Sequence, residues 1–547
     1  MRLIAEPGAV ERFLGFAPRE RFLMPNTALD ARHVIYPPLL IDGDRGFMLL
    51  EEIERGSVPA AALPPGVTPS YYAPYFRWDP AERSQIPHTV CDALRQVAGD
   101  VEVAVDAFAS IFLVRAIRAS VPAELAAPWR NRTWRRRRIR THDVEARFRR
   151  TRSAATEAAL LSLKGDRDER RLRNAVEGAR SGGRFASLDA LLGEVGLDVV
   201  VLSAPLNVQD VTGITVSDLL WPAIALYERG ADYVEMLEPC AGEAATISLA
   251  EVATRLRGRR FGIDEQYLTV GQALACGLAI DEGAAVSDAV RAWRERASAF
   301  DTPYFVLAAK VTTAAIAATL ETLRGRLGAA GMSEVDVERV LGGEYRRALG
   351  RFDNAGSFRV RNAHMNVHAG SRTTRPSLPT DYRMGSAETS LKIDSGVFLM
   401  EPDGLVRAAT DMGRTLVQGG AASEMYDVLR RAVADHAVPA ARAGASGRDV
   451  FLAATGGLDA QREAIDRTGL GPRVGRFQEA YARYVGHTMD KQRHVSVHFT
   501  STSTERLEVG MTGSIELPWA WDRYGLQYED MFWAGEDAGL NLTRDIP

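Results

Sequence analysis

Cysteine and lysine are scarce in this chain, and the scarcity of cysteine excludes two kinds of stabilised fold. The three cysteines among 547 residues are Cys91, Cys240 and Cys276, which are too few and too far apart for a disulfide framework or a thiolate zinc site. We therefore expect them to be buried apolar residues in a reducing compartment. Only four of the 67 basic side chains are lysines, a bias that we attribute to a GC-rich genome.

Long hydrophobic runs and a strong net charge are also missing. No stretch reaches the roughly 18 apolar residues of a membrane span, and the N-terminal MRLIAEPGAVERFLGF has charges where a signal peptide has an uninterrupted apolar core. The net charge of −4 provides no global field that would attract nucleic acid or an anionic membrane. We expect a cytoplasmic protein that binds neither.

The length and the changes of pattern along the chain predict three domains in an α/β (α+β) protein. Residues 1–185 are expected to form an N-terminal α/β domain that ends in an arginine-rich linker helix around WRNRTWRRRRIRTHD (129–143). That segment is interpreted as a solvated helix or a subunit contact. A second α/β domain is expected over 186–300, and a third domain over 301–547.

The third domain is predicted to begin with long helices. AAKVTTAAIAATLETLRGRLGAAG has apolar residues at helical spacing, and Ser333 precedes Asp336 by three residues, which outlines a capping box. Strands, histidines and acidic residues follow from about residue 357.

Acidic residues at strand ends indicate a metal site in this last region. Asp394 and Asp411 close two apolar runs that are separated by a turn, and Glu516 and Glu529 end two later strands. Six of the nine histidines lie at or beyond His364. Four converging carboxylates would repel one another and take up protons, whereas two divalent cations balance their charge and accept oxygen and imidazole ligands together. The sequence therefore predicts a dinuclear metal site.

These residues stand in motifs that resemble a known family. KIDSG, ATDMGRT, GH, GMTGSIE and GLQYED, in this order, resemble the pita-bread metallopeptidases, which include aminopeptidase P, prolidase, methionine aminopeptidase and creatinase. The resemblance covers roughly residues 300 to 547, and LDVVVLSAPLNVQDVTGI resembles the opening of a creatinase-type N-terminal domain. It implies a C-terminal pita-bread domain preceded by two creatinase-type domains, as in aminopeptidase P.

The resemblance also implies five metal ligands, which are Asp394, Asp411, His487, Glu516 and Glu529. By position, Asp411 and Glu529 would bridge two ions. Manganese is the first expectation, and cobalt, iron or zinc would also suit such a shell. In the family, a hydroxide that bridges the metals attacks a carbonyl carbon, so Glu516 and His494 are the catalytic candidates. His494 matches the histidine that contacts the substrate.

The residues that differ from the family motifs are at positions where the family recognises its substrate. Gln527 replaces the arginine that usually stands two residues before the last glutamate, and ELPW places Trp519 near the site. The usual upstream histidine, expected near Ser377, is missing, so His364 and His368 either replace it through a rearranged loop or are ordinary loop residues. The candidate substrate contacts are His368, His494, His498, Trp519 and Gln527.

The sequence thus predicts a dinuclear metallohydrolase, similar to aminopeptidase P or prolidase, that cleaves an amide or related C–N bond in a small amino-acid-derived molecule or short peptide. The resemblance also implies a homodimer. A metal-dependent lyase or redox enzyme of the same fold is one alternative, and a non-catalytic binding protein is another. Retention of all five ligands counts against the binding protein, and metal content would test it directly.

Overall fold

The computed structural model describes residues 1–15, 38–51, 63–72, 87, 89–120, 134–179, 183–216, 223–239, 246–247, 250–324, 332–374, 379–383, 390–481, 484–491, 497–521 and 524–544. Within these ranges the strands form four β-sheets on which the helices pack. This arrangement confirms the predicted α/β class.

The first sheet is built from the N-terminal part of the chain. Its strands are β1 (Arg2–Ile4), β2 (Leu39–Asp42), β3 (Arg45–Glu51), β4 (Val67–Tyr72), β5 (Val103–Val105) and β6 (Ala119–Ser120), in the spatial order β4-β3-β2-β1-β5-β6. The accompanying helices are α1 (Pro7–Leu14), α2 (Val90–Ala98) and α3 (Ile111–Val114). Thr89 begins α2 with a capping box, because its hydroxyl accepts the Asp92 amide at 3.0 Å.

The second sheet has seven strands among the described residues. They are β7 (Trp134–Arg140), β8 (Val199–Leu202), β9 (Ile224–Glu228), β10 (Tyr233–Pro239), β11 (Thr246–Ile247), β12 (Phe261–Ile263) and β13 (Ala284–Ala285), in the order β11-β7-β10-β9-β8-β12-β13. The helices of this region are α4 (Thr141–Arg149), α5 (Arg152–Ser162), α6 (Glu169–Gly178), α7 (Arg184–Glu194), α8 (Pro205–Thr212), α9 (Ala250–Leu256), α10 (Val270–Ala275) and α11 (Ser287–Ala297). All four residues of β8 are buried, as its β-branched sequence VVVL predicts.

The arginine-rich segment is not a linker helix where the structure describes it. Residues 134–140 form β7, which pairs with β10 so that Arg138 lies opposite Glu235 and Arg135 opposite Glu238. The guanidinium of Arg138 lies 3.0 Å from the Glu235 carboxylate. Cross-strand pairing with acidic residues stabilises this strand and offsets its positive charge, which is why the helical interpretation was wrong.

The first two sheets share apolar contacts. One buried cluster contains Leu3 and Leu49 of the first sheet together with Val201 and Ile263 of the second. Since β7 lies in the second sheet, part of the chain before residue 185 belongs with that sheet. The three-domain division at 185 and 300 remains a prediction.

The C-terminal part contains two further sheets. The strands of the third sheet are β14 (Arg359–Ala369), β15 (Ser390–Met400), β16 (Val406–Ala409) and β17 (Met412–Val417), and β15 pairs with the other three. The strands of the fourth sheet are β18 (Gly486–Met489), β19 (Thr512–Trp521), β20 (Tyr524–Ala534) and β21 (Gly539–Asn541), in sequence order. Strand β17 packs against β20, which brings the two sheets together.

Helices cover the outer faces of both sheets. They are α12 (Thr302–Arg324), α13 (Glu334–Phe352), α14 (Gly420–Arg431), α15 (Val438–Ala440), α16 (Gly447–Asp459), α17 (Arg462–Thr468) and α18 (Phe477–Ala480), with 3-10 turns at Ser298–Asp301 and Gly370–Thr374 and a π-helical turn at Ala432–Ala437. The predicted capping box of α13 is confirmed, since Ser333 Oγ accepts the Asp336 amide at 3.2 Å and the Asp336 carboxylate accepts the Ser333 amide at 2.9 Å.

Helix α12 is the one described helix that is long and apolar enough to cross a membrane. Its most apolar window is 83% buried inside the protein, where it packs against α13 and the strands of the third sheet. A helix that is apolar on all sides and enclosed by protein is typical of the core of a large domain.

Buried ion pairs join the middle of the chain to the C-terminal sheets. Arg407 of β16 pairs with Asp301 and with Glu401, each at 2.8 Å, and Lys491 pairs with Asp210 of α8 at 2.6 Å. Burial alone would raise the pKa of Asp301, but Arg407, Lys491 and a further arginine lower it to about 2. Asp301 is therefore ionised at neutral pH and contributes to holding these elements together.

The few lysines are mostly interior residues. Lys310, Lys392 and Lys491 are buried, and Lys164 is exposed. Lys310 pairs with Asp166 across the contact between α12 and the segment that precedes α6. Lysine is thus found chiefly at enclosed positions, in contrast to the abundant arginine.

Two of the three cysteines are buried, as expected. Burial raises the pKa of Cys91 to about 11 and that of Cys276 to about 12, so both thiols stay protonated at neutral pH. Cys240 lies outside the described residues.

Candidate metal centre

Two aspartates meet in the interior of the third sheet. Asp394 lies within β15, between Asn366 of β14 and Gly413 of β17. Asp411 lies directly between β16 and β17. Both side chains are buried, so a compensating positive charge is needed there.

Two glutamates and a histidine come from the fourth sheet. Glu516 of β19 lies directly opposite Glu529 of β20, and His487 is on the neighbouring strand β18. The ligand atoms of Asp411, His487 and Glu529 all lie within 4.8 Å of one another. The contact between β17 and β20 therefore brings acidic residues of both sheets to one place.

The approach of β18 to β19 requires a glycine before the histidine. Gly486 has a φ of 135°, and a Cβ built on it would lie 2.1 Å from the Ser514 carbonyl oxygen. A side chain at this position would push His487 away from the carboxylates. The close approach of the two strands therefore explains why a glycine precedes His487.

A second histidine joins the aspartates from the opposite side. His364 of β14 places its Nε2 atom 3.0 Å from an Asp394 oxygen and 2.8 Å from an Asp411 oxygen. These three residues form a second group whose ligand atoms lie within 4.8 Å of one another, and Asp411 belongs to both groups. His364 and His368 are strand residues, so the expectation that they lie in a loop was wrong.

The carboxylates oppose one another strongly in the absence of cations. Burial, and then the charges of Asp411, Glu516 and Asp394, raise the pKa of Glu529 well above its usual range. The pKa of Glu516 is raised by burial and by the two aspartates. Clustered carboxylates with raised pKa values are what a site for cations shows when only protons compensate its charge.

Neighbouring polar groups orient these carboxylates. The Gln527 amide donates to Glu516 at 3.1 Å and to Glu529 at 3.0 Å, and the Ser514 hydroxyl donates to the other Glu529 oxygen at 2.6 Å. Asn366 donates to Asp394 at 3.2 Å. Gln527 thus acts directly on two predicted ligands, and its expected contact with substrate remains a prediction.

Aromatic rings surround His487. His498 forms an isolated bridge with His487, their ring centroids are 6.2 Å apart, and Tyr484 lies about equally close to both rings, at 6.1 and 6.0 Å. Burial, and then the charges of His487 and Arg291, hold the pKa of His498 well below its usual range. His498 is therefore neutral at physiological pH.

The remaining predicted substrate contacts are placed less favourably. Trp519 lies an odd number of residues from Glu516 on β19, so its indole points to the opposite face, where it packs on Phe477 and donates to the Leu470 carbonyl at 2.6 Å. Trp519 is therefore separated from the carboxylates by the sheet, and the expectation that it contacts substrate is not supported. His368 is buried on β14, opposite Lys392, and His494 lies outside the described residues.

The donors present fit two divalent cations. Four carboxylates and the two imidazoles of His364 and His487 converge from two sheets, and Asp411 is shared by the two groups. Oxygen and imidazole donors together suit manganese, iron, cobalt or zinc. The carboxylates also balance the charge of two such ions.

The fold itself is known. The two C-terminal sheets, enclosed by helices and carrying acidic residues on their facing strands, form the pita-bread fold, and this confirms at the level of fold the resemblance drawn from the motifs.

Solved structures provide the comparison. An Xaa-Pro dipeptidase from Bacillus anthracis superposes with a TM-score of 0.50 at 18% identity, over 66% of this chain and 97% of that one. A candidate aminopeptidase P from the same organism gives 0.50 at 15% identity, over 66% and 95%. A prolidase from Pyrococcus horikoshii OT3 gives 0.49 at 18% identity, over 66% and 98%. No family model and no curated protein matches the chain.

Sequence reasoning missed the position of His364. It lies directly after a register shift between Asn362 and His364 in the pairing of β14 with β15. The one available signal was its place in an apolar, alternating run, NAHMNVHA, which is typical of a strand beside β15.

Proposed function

We propose that this protein is a dinuclear metal-dependent hydrolase that cleaves an amide or related C–N bond, with a small amino-acid-derived molecule or short peptide as substrate. One observation carries the proposal. Two groups of buried ligand atoms, one with Asp394 and one with His487 and Glu529, share Asp411. A carboxylate common to two adjacent groups is the arrangement that holds two cations side by side.

Two divalent ions bound there would supply a water of lowered pKa and polarise a carbonyl oxygen. The ligands assigned to them are Asp394, Asp411, His487, Glu516 and Glu529. Glu516 is also proposed as the proton carrier, because it lies directly opposite Glu529 within the ligand cluster and is held by the Gln527 amide. Gln527 keeps Glu516 and Glu529 oriented.

The dipeptidase and aminopeptidase similarity supports a peptide-like substrate. Gln527 stands where an arginine would grip a carboxylate, which favours a substrate other than a general Xaa-Pro peptide. Manganese as the native metal, His494 as a second catalytic residue, a homodimer and a cytoplasmic location are further parts of the proposal.

The test combines metal analysis with a substrate screen. Protein stripped with a chelator is reloaded with manganese, cobalt, iron or zinc, and is assayed on Xaa-Pro dipeptides, other dipeptides and N-acyl amino acids. Asp411→Asn should lose both ions and all turnover, whereas the exposed Asp466→Asn should lose neither. Turnover without metal, or full activity of Asp411→Asn, would refute the proposal, and bound metal without hydrolysis would favour a lyase, redox or binding role.

A further inference from the structure

We propose that His364 is a sixth ligand of the dinuclear site and holds the ion that Asp394 binds, so that each ion has one imidazole ligand. This inference rests on the proposed function, because it concerns the same metal site. It adds a nitrogen donor to a group that the five assigned ligands leave with oxygen donors only.

The geometry is that of neighbouring ligands. Nε2 of His364 lies 3.0 Å from Asp394 Oδ1 and 2.8 Å from Asp411 Oδ1. Ligands about 2.1 Å from one ion and at right angles to each other are separated by about 3.0 Å. One cation can therefore accept all three atoms with little movement of their side chains.

The two carboxylate oxygens that face Nε2 of His364 limit what this nitrogen can bind. A neutral imidazole that turned a lone pair toward two carboxylate oxygens would be repelled, so Nε2 carries either a proton or a metal ion. A cation placed between these three atoms would meet the Nε2 atom and both carboxylate oxygens at once, and Asp411 belongs to this group and to the group of His487 and Glu529.

The residues around His364 leave room for its ring and hold its backbone in place. Gly396 lies opposite it on β15, and a Cβ built on Gly396 would lie 3.0 Å from His364 Cε1, so the glycine leaves room for the ring. The Ser395 hydroxyl donates to the His364 carbonyl at 2.8 Å and accepts from the Tyr345 hydroxyl at 2.8 Å. These bonds hold the His364 backbone against β15 and so fix where its ring begins.

A coordinated His364 has a chemical consequence. With an imidazole on each ion the two ligand shells are alike, whereas without His364 one ion would have oxygen ligands only. We expect both ions to be retained with similar affinity.

The experiment counts imidazole ligands. Full-length protein is loaded with two equivalents of Co²⁺, and X-ray absorption at the cobalt edge gives the number of coordinated imidazoles per protein. That number should fall by one in His364→Gln and by one in His487→Gln, and should not change in His436→Gln, whose side chain is exposed. Calorimetric titration with Co²⁺ should show that His364→Gln weakens one of the two binding steps at least about tenfold.

The outcomes are distinct. An unchanged imidazole count and unchanged affinity in His364→Gln would overturn this inference while leaving the five-ligand site intact. A wild-type protein that binds no stoichiometric metal would instead overturn the proposed function. If His364→Gln fails to fold by circular dichroism, His364→Asn is the second variant. A wild-type count of one imidazole or fewer per protein overturns the inference without any variant.

Discussion

Removing a carboxylate from the site should stabilise the protein when metal is absent. A carboxylate oxygen of Glu529 and one of Asp411 lie within 4.8 Å of each other. Two unit charges at that separation and an effective dielectric constant of about 20 repel by about 3 kcal/mol. Glu529→Gln removes this repulsion, and proton uptake by the wild type reduces the expected gain to about 1–3 kcal/mol.

The amide fits the hydrogen bonds of the replaced carboxylate. The Gln527 amide can still donate to the remaining oxygen, and Ser514 Oγ can accept from the new N–H group while it donates to the Asp411 carbonyl, which is 3.1 Å away. The amide oxygen and one N–H group thus keep hydrogen-bond partners, and relief of charge should dominate the effect of the change.

The assay is thermal unfolding of chelator-treated protein at pH 8, with and without Mn²⁺. Glu529→Gln should unfold about 1–3 °C higher than the wild type without metal, at about 1 °C per kcal/mol for a chain of this length. Saturating Mn²⁺ should stabilise the wild type by about 2.7 kcal/mol for each bound ion at a hundredfold excess over Kd, and the variant by much less.

The pH dependence has a definite sign. Since the pKa of Glu529 is raised in the folded state, the folded protein binds more protons than the unfolded chain, and the metal-free wild type gains stability as pH falls. The advantage of Glu529→Gln should therefore shrink at pH 5. The exposed Glu508→Gln is the control. A lower unfolding temperature for metal-free Glu529→Gln, or equal stabilisation of both proteins by Mn²⁺, would refute the reasoning.

Three further changes test other parts of the structure. Asp301→Asn removes one of the two carboxylates that pair with the buried Arg407, together with the carboxylate that faces Lys491, and should cost about 3–5 kcal/mol in urea unfolding at pH 7. Since the pKa of Asp301 is lowered to about 2, this difference is fully present above about pH 4 and should vanish as pH falls through 2. A difference that persists at pH 2 would contradict the ion-pair origin. Asp490→Asn weakens the 2.8 Å contact with Arg294 just after β18 and should cost about 1.5–3 kcal/mol and lower metal affinity in calorimetry, whereas unchanged affinity would show that this contact does not position the histidine strand. Arg138→Gln removes a mostly exposed guanidinium, and the buried Glu235 keeps its ion pair with Arg255, so the free energy of unfolding should change by less than about 1 kcal/mol. A larger loss would mean that β7 depends on the pair between Arg138 and Glu235.

Much of the site could be predicted because buried carboxylates are costly. Acidic residues such as Asp411 and Glu529, placed in otherwise apolar strand sequences, indicate a compensating ion even when the fold is unknown. The helix cap at Ser333 could be predicted for a different reason. Both of its hydrogen bonds are made within four residues, so the local sequence was sufficient.

The parts that sequence reasoning missed depend on pairing between distant segments. The arginines of β7 become favourable in a strand only when β10 supplies Glu235 and Glu238 from about a hundred residues away. The position of His364 depends on a register shift that no local pattern encodes. The side of the sheet on which Trp519 lies was missed because the strand was expected to end at Glu516, whereas β19 continues to Trp521 in its pairing with β20.

The burial of the lysines has a practical consequence. Since Lys310, Lys392 and Lys491 are enclosed and Lys164 is exposed, a reagent that attacks side-chain amines of the folded protein should modify essentially one lysine. A fluorophore or a solid support attached through that amine would be fixed at a single point before α6. Progressive labelling of the other three lysines would then report the opening of the interior as the protein unfolds.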